Sequence, residues 1–177
     1  MEYMPRGDLS KLGRLDSLTT ISLLMRLCAA VRFAHFEGVI HRDIKPANVL
    51  LDDATNPKLT DFDLAWKDDT TGLTQTGGMG SAFYCAPEQI IDASRVDERA
   101  DVFSLGMVGV YARASSIAVK TYHVQRVPLR KFLPNDDLTT LLEAACAWDP
   151  DKRLSSATEM LAKLQDLYIS FQTTFAS

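Results

Sequence analysis

The sequence has little of what would place it outside the ordinary globular proteins. Its three cysteines are far apart and form no C-x-x-C pair, so they offer neither a disulfide framework nor zinc-ligand spacing. Its 19 basic and 23 acidic residues form no block of one sign, which disfavours a nucleic-acid partner. The nearly apolar run from Val102 to Ala112 is well short of the roughly 20 residues of a membrane helix. We therefore expect a cytoplasmic protein with reduced, buried cysteines and no membrane segment.

What is present favours a packed domain. Apolar residues make up 46% of the 177 residues and charged residues 24%, a balance typical of a globular chain. A domain of this size buries roughly 70% of the surface that its unfolded chain exposes, so its core needs no metal or disulfide for stability. We expect one unit, residues 1–177.

The hydrophobic pattern predicts an α+β chain that is mostly helical with small β-hairpins. Apolar steps of three and four residues predict amphipathic helices, and short extended runs separated by turn formers predict a hairpin. Residues 99–113 are apolar on nearly every side, which predicts a helix buried at the centre of the domain. A stretch rich in Thr and Gly, residues 67–80, is predicted to be a loop. The predicted helices are Thr19 to Phe36, Arg99 to Arg113, Asp136 to Trp148 and Ser156 to Tyr168, and the predicted strands are Asn48 to Leu51 and Lys58 to Thr60.

One string carries most of the chemical information. The residues from His41 to Asn48 read H-R-D-I-K-P-A-N, and thirteen residues later comes Asp61-Phe62-Asp63. Among their side chains are the carboxylates of Asp43 and Asp61, a lysine and an amide, on segments that flank the predicted hairpin. Phosphoryl transfer needs this inventory, because a carboxylate orients the attacking hydroxyl, oxygen ligands hold Mg²⁺ and a cation faces the developing charge.

This string resembles the eukaryotic-type protein kinase family, whose H-R-D-x-x-x-x-N pattern is matched at every fixed position. The resemblance implies ATP and Mg²⁺ as cofactors. It makes Asp43 the catalytic base, Asn48 and Asp61 the Mg²⁺ ligands, and Lys45 the cation near the transferred phosphoryl group. Lys45 also makes the chain look like a serine/threonine kinase of a bacterial branch, acting on protein hydroxyls. The opposing interpretation, a turn that merely caps helices, is disfavoured by the spacing.

The first nine residues resemble the hinge between the two lobes of a kinase. The resemblance places Met1 at the gatekeeper position, the backbone of Glu2 and Met4 at the adenine, Asp8 at the ribose hydroxyls and Leu50 beneath the adenine. No sequence for the smaller amino-terminal lobe precedes Met1. We therefore expect a kinase-like fold that consists of the hinge and the larger, carboxy-terminal lobe, with little or no turnover by the chain alone.

Further residues resemble motifs of the protein kinase family and follow in the order in which that family has them. Glu88 of Ala86-Pro87-Glu88 is expected to pair with Arg153, and Asp101 is expected to anchor the catalytic loop, although a helix N-cap is an alternative role for Asp101. Arg42 beside the expected base implies control by a phosphate on Thr74 or Thr76.

Asp63 stands where the family usually has glycine, which adds a charge near the expected phosphates. Two other functions remain open. One is a kinase-derived binding module without phosphoryl transfer. The other is a small-molecule kinase of related fold, which the Ala86-Pro87-Glu88 segment disfavours. The oligomeric state is not predicted.

Overall fold

The computed structural model describes residues 4–52, 54, 56–62, 81–92, 94 and 96–175. Met1, Glu2, Asp63, the predicted loop at 67–80 and the candidate phosphorylation sites Thr74 and Thr76 lie outside the described residues. The described part contains six α-helices and one two-stranded antiparallel sheet. The helices are α1 (Ser17–Phe36), α2 (Pro87–Ile91), α3 (Arg99–Arg113), α4 (Ser116–Gln125), α5 (Asp137–Ala145) and α6 (Ala157–Phe175), and the strands are β1 (Val49–Leu51) and β2 (Pro57–Leu59).

The helix α3 lies at the centre of the described fold, as its sequence predicts. Twelve of its 15 residues are buried, and it packs against α1, α5 and α6. Two glycines permit a close approach of α5, because a Cβ on Gly106 would lie 2.6 Å from Cys146 Sγ and one on Gly109 would lie 2.5 Å from Leu142 Cδ2. These glycines therefore serve helix packing.

The helix α1 packs along α6 and begins where its sequence provides a cap. Asp16 accepts a hydrogen bond from the Thr19 amide at 2.8 Å, and Gly38 adopts a positive φ of 74° just beyond the last turn. By length and composition alone α1 is apolar enough to cross a membrane, which the sequence analysis overlooked. Its residues Ile21, Leu24 and Val31 are fully buried in the core, and core helices of globular proteins meet the same criteria.

The hairpin brings the amino-terminal segment to the catalytic string. Strand β1 pairs with β2 so that Val49 lies opposite Leu59. On its other edge, Leu50 forms an isolated bridge with Asp8, and the Leu51 amide donates to the Gly7 carbonyl at 2.9 Å. The predicted hairpin is thus present, with its strands displaced by about one residue.

Helix ends were predicted less well than helix existence. The bounds of α3 agree with the prediction, and α1 begins two residues earlier than predicted. Helix α5 ends at Ala145 and not at Trp148, whereas α6 continues past Tyr168 to Phe175. At the start of α6, Ser156 Oγ accepts from the Glu159 amide at 3.1 Å, as a capping residue does.

Burial of the cysteines is largely as expected. Cys28 and Cys146 are fully buried, and burial raises the pKa of both thiols far above the ordinary range. Cys85 is half-buried, and desolvation raises the pKa of its thiol to about 11. All three are free cysteines. They are therefore protonated and unreactive at neutral pH.

Candidate active site

Three of the predicted site residues are in direct contact. Lys45 Nζ donates to both carboxylate oxygens of Asp43, at 3.0 and 2.7 Å. Asn48 Nδ2 donates to Asp43 Oδ2 and to the Asp43 carbonyl, both at 2.9 Å. The Asp43 and Lys45 side chains are each only 15% exposed. Because Asn48 uses its amide nitrogen on Asp43, its oxygen Oδ1 lies on the other side of the amide group, where it can serve as a ligand.

The segment that carries Asp61 is bonded to the same loop. The Thr60 amide donates to the Asn48 carbonyl at 2.9 Å, and His41 Nε2 donates to the Thr60 carbonyl at 3.0 Å. The ring of Phe62 contacts that of His41, with centroids 4.5 Å apart. Asp61 itself is exposed, and its carboxylate makes no hydrogen bond or ion pair within the described residues. Its neighbours Thr60 and Phe62 are thus both bound to the loop that carries Asp43 and Asn48, which places the backbone of Asp61 next to that loop.

The loop from His41 to Asp43 is anchored to the core by a buried carboxylate. Asp101, on the first turn of α3, is fully buried and accepts hydrogen bonds from the amides of His41 and Arg42, each at 2.8 Å. His35 Nε2, from the last turn of α1, donates a third at 2.8 Å. The anchoring role expected for Asp101 is therefore present in the geometry, and the alternative role as a helix N-cap is not, because Glu98 occupies that position.

Two residues of the site adopt left-handed backbone conformations. Arg42 has φ of 65° and Asp61 has φ of 62°. Aspartate tolerates this region better than most residues, whereas arginine rarely adopts it, and such conformations cost roughly 1–3 kcal/mol unless the surroundings impose them. At Arg42 the surroundings do so, because Asp101 binds its amide and Gln89 Nε2 donates to its carbonyl at 2.8 Å.

Of the residues expected at the nucleotide, Asp8 and Leu50 lie together at the edge of the hairpin. Asp8 and Leu50 are bridged through their backbones, and Leu50 is half-buried between two buried neighbours. The Met4 carbonyl accepts from the Gly7 amide at 3.1 Å in a turn. Burial raises the pKa of Asp8, but hydrogen bonds from Ser10 and Lys11 outweigh it and the pKa is lowered overall. Asp8 is therefore an anionic acceptor at neutral pH.

The segment that contains Glu88, residues 81–92, is fixed to the core by an ion pair. Arg153 donates to both oxygens of Glu88, at 2.6 and 3.0 Å, and the Arg153 side chain is fully buried. Ser104 Oγ donates to the Tyr84 carbonyl at 2.8 Å, and His123 on α4 donates to the Cys85 carbonyl at 3.1 Å. The predicted pair of Glu88 and Arg153 is therefore present, and it holds the end of this segment against the core of the lobe.

Two contributors to the site were not identified from the sequence. Gln89 contacts Arg42 across 47 residues, and His35 contacts Asp101 across 66. The only feature of the sequence that could have pointed to Gln89 is its position directly after Ala86-Pro87-Glu88. His35 falls on the buried side of α1, where a polar residue among apolar ones is a signal that a partner exists.

The described residues form a helical lobe with one hairpin, and this lobe presents a carboxylate, a lysine and an amide in contact. The sequence matches the family model of the protein kinase domain over residues 1–165. The chain belongs to the protein kinase family. This establishes the family and fold expected from the residues at 41–48.

Individual relatives are consistent with this result. The chain is 36% identical over 183 residues to the serine/threonine-protein kinase PknB of Mycolicibacterium smegmatis and 33% identical over 182 residues to that of Mycobacterium leprae. Both alignments cover 93% of this chain and 29% of the relative. A probable serine/threonine-protein kinase of Clostridium perfringens is 32% identical over the whole chain, which spans 28% of that relative. The chain thus spans under a third of the length of the curated relatives it matches.

Proposed function

We propose that this chain forms the catalytic, carboxy-terminal lobe of a serine/threonine protein kinase, which transfers the γ-phosphate of ATP to hydroxyl groups of protein substrates. The observation that carries the proposal is the Asp43 carboxylate held by Lys45 and Asn48 beside the Asp61 segment. Relatives named as serine/threonine-protein kinases support the choice of substrate class. The cytoplasmic location expected from the sequence belongs to the same proposal.

Asp43 is suited to act as the base. Lys45 and Asn48 donate to the same oxygen, Oδ2, so the two donors fix the orientation of the carboxylate. A carboxylate held in this way can accept the proton of a serine or threonine hydroxyl at the moment of attack. Lys45 adds a positive charge at the place where negative charge would develop on the transferred group.

The chemistry of the remaining donors fits Mg²⁺ and ATP. Asn48 Oδ1 and the exposed Asp61 carboxylate are hard oxygen ligands, which Mg²⁺ prefers. Bound Mg²⁺ would neutralise phosphate charge there. Asp8 offers acceptors to ribose hydroxyls, Leu50 offers an apolar contact for the adenine, and the Met4 carbonyl is bound to the Gly7 amide next to Asp8 in the chain. The corresponding roles of Met1 and Glu2 rest on the family resemblance alone.

Transfer of labelled phosphate from ATP to a generic basic protein tests the proposal. We expect Asp43→Asn to lower the rate at least 100-fold, because general base catalysis contributes roughly 10² to 10⁴. The matched control is Asp166→Asn, the same change on an exposed position of α6, which should leave the rate unchanged. Labelling that is measurable and equal for wild type and Asp43→Asn would exclude Asp43 as the base.

Nucleotide binding tests the site even where turnover is slow. Mn²⁺ with ADP should broaden the NMR signals of amides close to Asn48 and Asp61, and Asp61→Asn should weaken that effect by about tenfold or more, since a charged ligand is replaced by a neutral one. A chain that shows neither broadening nor phosphate transfer is not a kinase lobe in function, and a binding module becomes the better description.

A further inference from the structure

The side chain of Gln89 joins two parts of the site that are remote in sequence. Its Oε1 accepts from the Ala86 amide at 3.1 Å, immediately before α2. Its Nε2 donates to the Arg42 carbonyl at 2.8 Å, immediately before Asp43. One half-buried amide therefore links the segment that ends in Ala86-Pro87-Glu88 to the catalytic loop.

The carbonyl that Gln89 binds controls the orientation of Asp43. The Arg42 carbonyl and the Asp43 amide belong to the same planar peptide group, so fixing one fixes the other. The Asp43 amide donates to His41 Nδ1 at 3.3 Å, a long bond that constrains this peptide only weakly. The 2.8 Å bond from Gln89 is therefore the stronger of the two hydrogen bonds on this peptide.

This peptide needs a strong constraint because Arg42 lies in the left-handed region, with φ of 65°. A non-glycine residue stays there only when its surroundings impose it. Asp101 binds the amide on one side of Arg42, and Gln89 binds the carbonyl on the other side. Rotation of Arg42 towards the ordinary region would require both bonds to break and would swing the Asp43 carboxylate away from Lys45.

Gln89 can hold the Arg42 carbonyl in place because α2, the helix that carries Gln89, is itself fixed to the core. The residue before it, Glu88, is held by the fully buried Arg153, which also donates to the Arg99 carbonyl at 2.7 Å. The two neighbouring side chains thus have different partners: Glu88 binds the core of the lobe and Gln89 binds the catalytic loop.

We propose that Gln89 is a positioning residue for the reaction, which holds the Arg42–Asp43 peptide and couples the orientation of the Asp43 carboxylate to the segment before α2. The expected effect on catalysis rests on the proposed function. The role of Gln89 in fixing the Arg42–Asp43 peptide does not depend on it. It predicts that loss of the donor at position 89 lowers kcat while binding of ATP is unchanged.

Gln89→Glu is the decisive variant. It has nearly the same shape and keeps an oxygen for the Ala86 amide, but it replaces the donor to Arg42 with a second oxygen that faces a carbonyl. Gln89→Met removes both bonds. Gln165→Glu, the same charge change on an exposed position of α6, is the matched control.

For Gln89→Glu we expect kcat to fall about 10- to 100-fold with the KM for ATP within about twofold of wild type, since small misplacements of a reacting group have effects of this size. The NMR signal of the Asp43 amide should move in Gln89→Glu and Gln89→Met and stay in place in Gln165→Glu. Thermal unfolding shows whether each variant remains folded.

The outcomes separate this inference from the proposed function. An Asp43 amide signal that does not move in Gln89→Glu overturns the inference, whether or not the chain transfers phosphate. A loss of activity that is accompanied by a parallel rise in KM and a large fall in melting temperature also overturns it, because a purely structural role then explains the data. If wild type neither transfers phosphate nor binds Mn²⁺ with ADP, the proposed function fails, and the amide shift still decides the role of Gln89.

Discussion

Replacing Asp101 with asparagine is expected to destabilise the protein more than its small chemical change implies. The carboxylate accepts three hydrogen bonds of 2.8 Å within the described residues, two on Oδ2 and one on Oδ1. Asparagine has one oxygen, and the better orientation keeps that oxygen on the side of His41 and His35. Its amide nitrogen then faces the Arg42 amide, donor against donor.

The magnitude follows from these contacts. One buried donor left without an acceptor costs about 1–3 kcal/mol. The two bonds that remain change from charged to neutral acceptors, which weakens each by about 1 kcal/mol. The neutral side chain is easier to bury, which offsets part of the loss. We therefore expect Asp101→Asn to lower the free energy of unfolding by about 3 kcal/mol, equivalent to a fall in melting temperature of roughly 6–12 °C for a domain of this size.

Urea unfolding followed by circular dichroism measures this change. The m-value should stay constant, so that the shift of the midpoint reports stability alone. Asp166→Asn provides the comparison at an exposed position, where changes are usually within about 0.5 kcal/mol. A loss below about 1 kcal/mol for Asp101→Asn would refute the reasoning, because it would mean that the three bonds do not depend on the charge of the carboxylate.

Two further predictions concern the Glu88–Arg153 ion pair and the side chain of His123. Glu88→Gln should lower the free energy of unfolding by about 3 kcal/mol in urea titrations, because it leaves the charge of the buried Arg153 without its partner, and a second change, Arg153→Met, should recover part of that loss. Desolvation lowers the pKa of His123 in the folded protein below its unfolded value of about 6.5. At a pH between these two pKa values, His123 is protonated in the unfolded state and neutral in the folded state, so the unfolded state binds one more proton. The contribution of His123 to the free energy of unfolding is therefore fully present above pH 6.5 and decreases as the pH is lowered below 6.5. Melting temperatures from pH 5 to 8 should show a flatter profile for His123→Gln, and an identical profile would contradict the assignment.

The sequence was sufficient where a local pattern determines the structure. The string from His41 to Asn48 predicted three residues that the structure brings into contact, and the continuous apolar pattern predicted both ends of α3. The anchoring role of Asp101 was implied by the family resemblance, and it agrees with the requirement that a buried charge in an apolar helix has a partner.

Where the sequence failed, the determining contact is remote or the element is short. Helix α2 has five residues and α4 has ten, too few turns for a clear hydrophobic period. The strands shift by one residue because their register depends on pairing. The contact of Gln89 depends on the left-handed conformation of Arg42, which no local propensity favours for arginine.

The catalytic loop is therefore held by groups whose individual positions are themselves fixed. Asp101 belongs to the buried helix α3, and Gln89 follows a glutamate bound to a buried arginine, so neither anchor relies on an exposed side chain. Two anchors on opposite sides of Arg42 over-determine a strained conformation, which is the condition for its persistence. The orientation of Asp43 is then a property of the packed core, and perturbing either anchor should alter the chemistry of the site before it unfolds the chain.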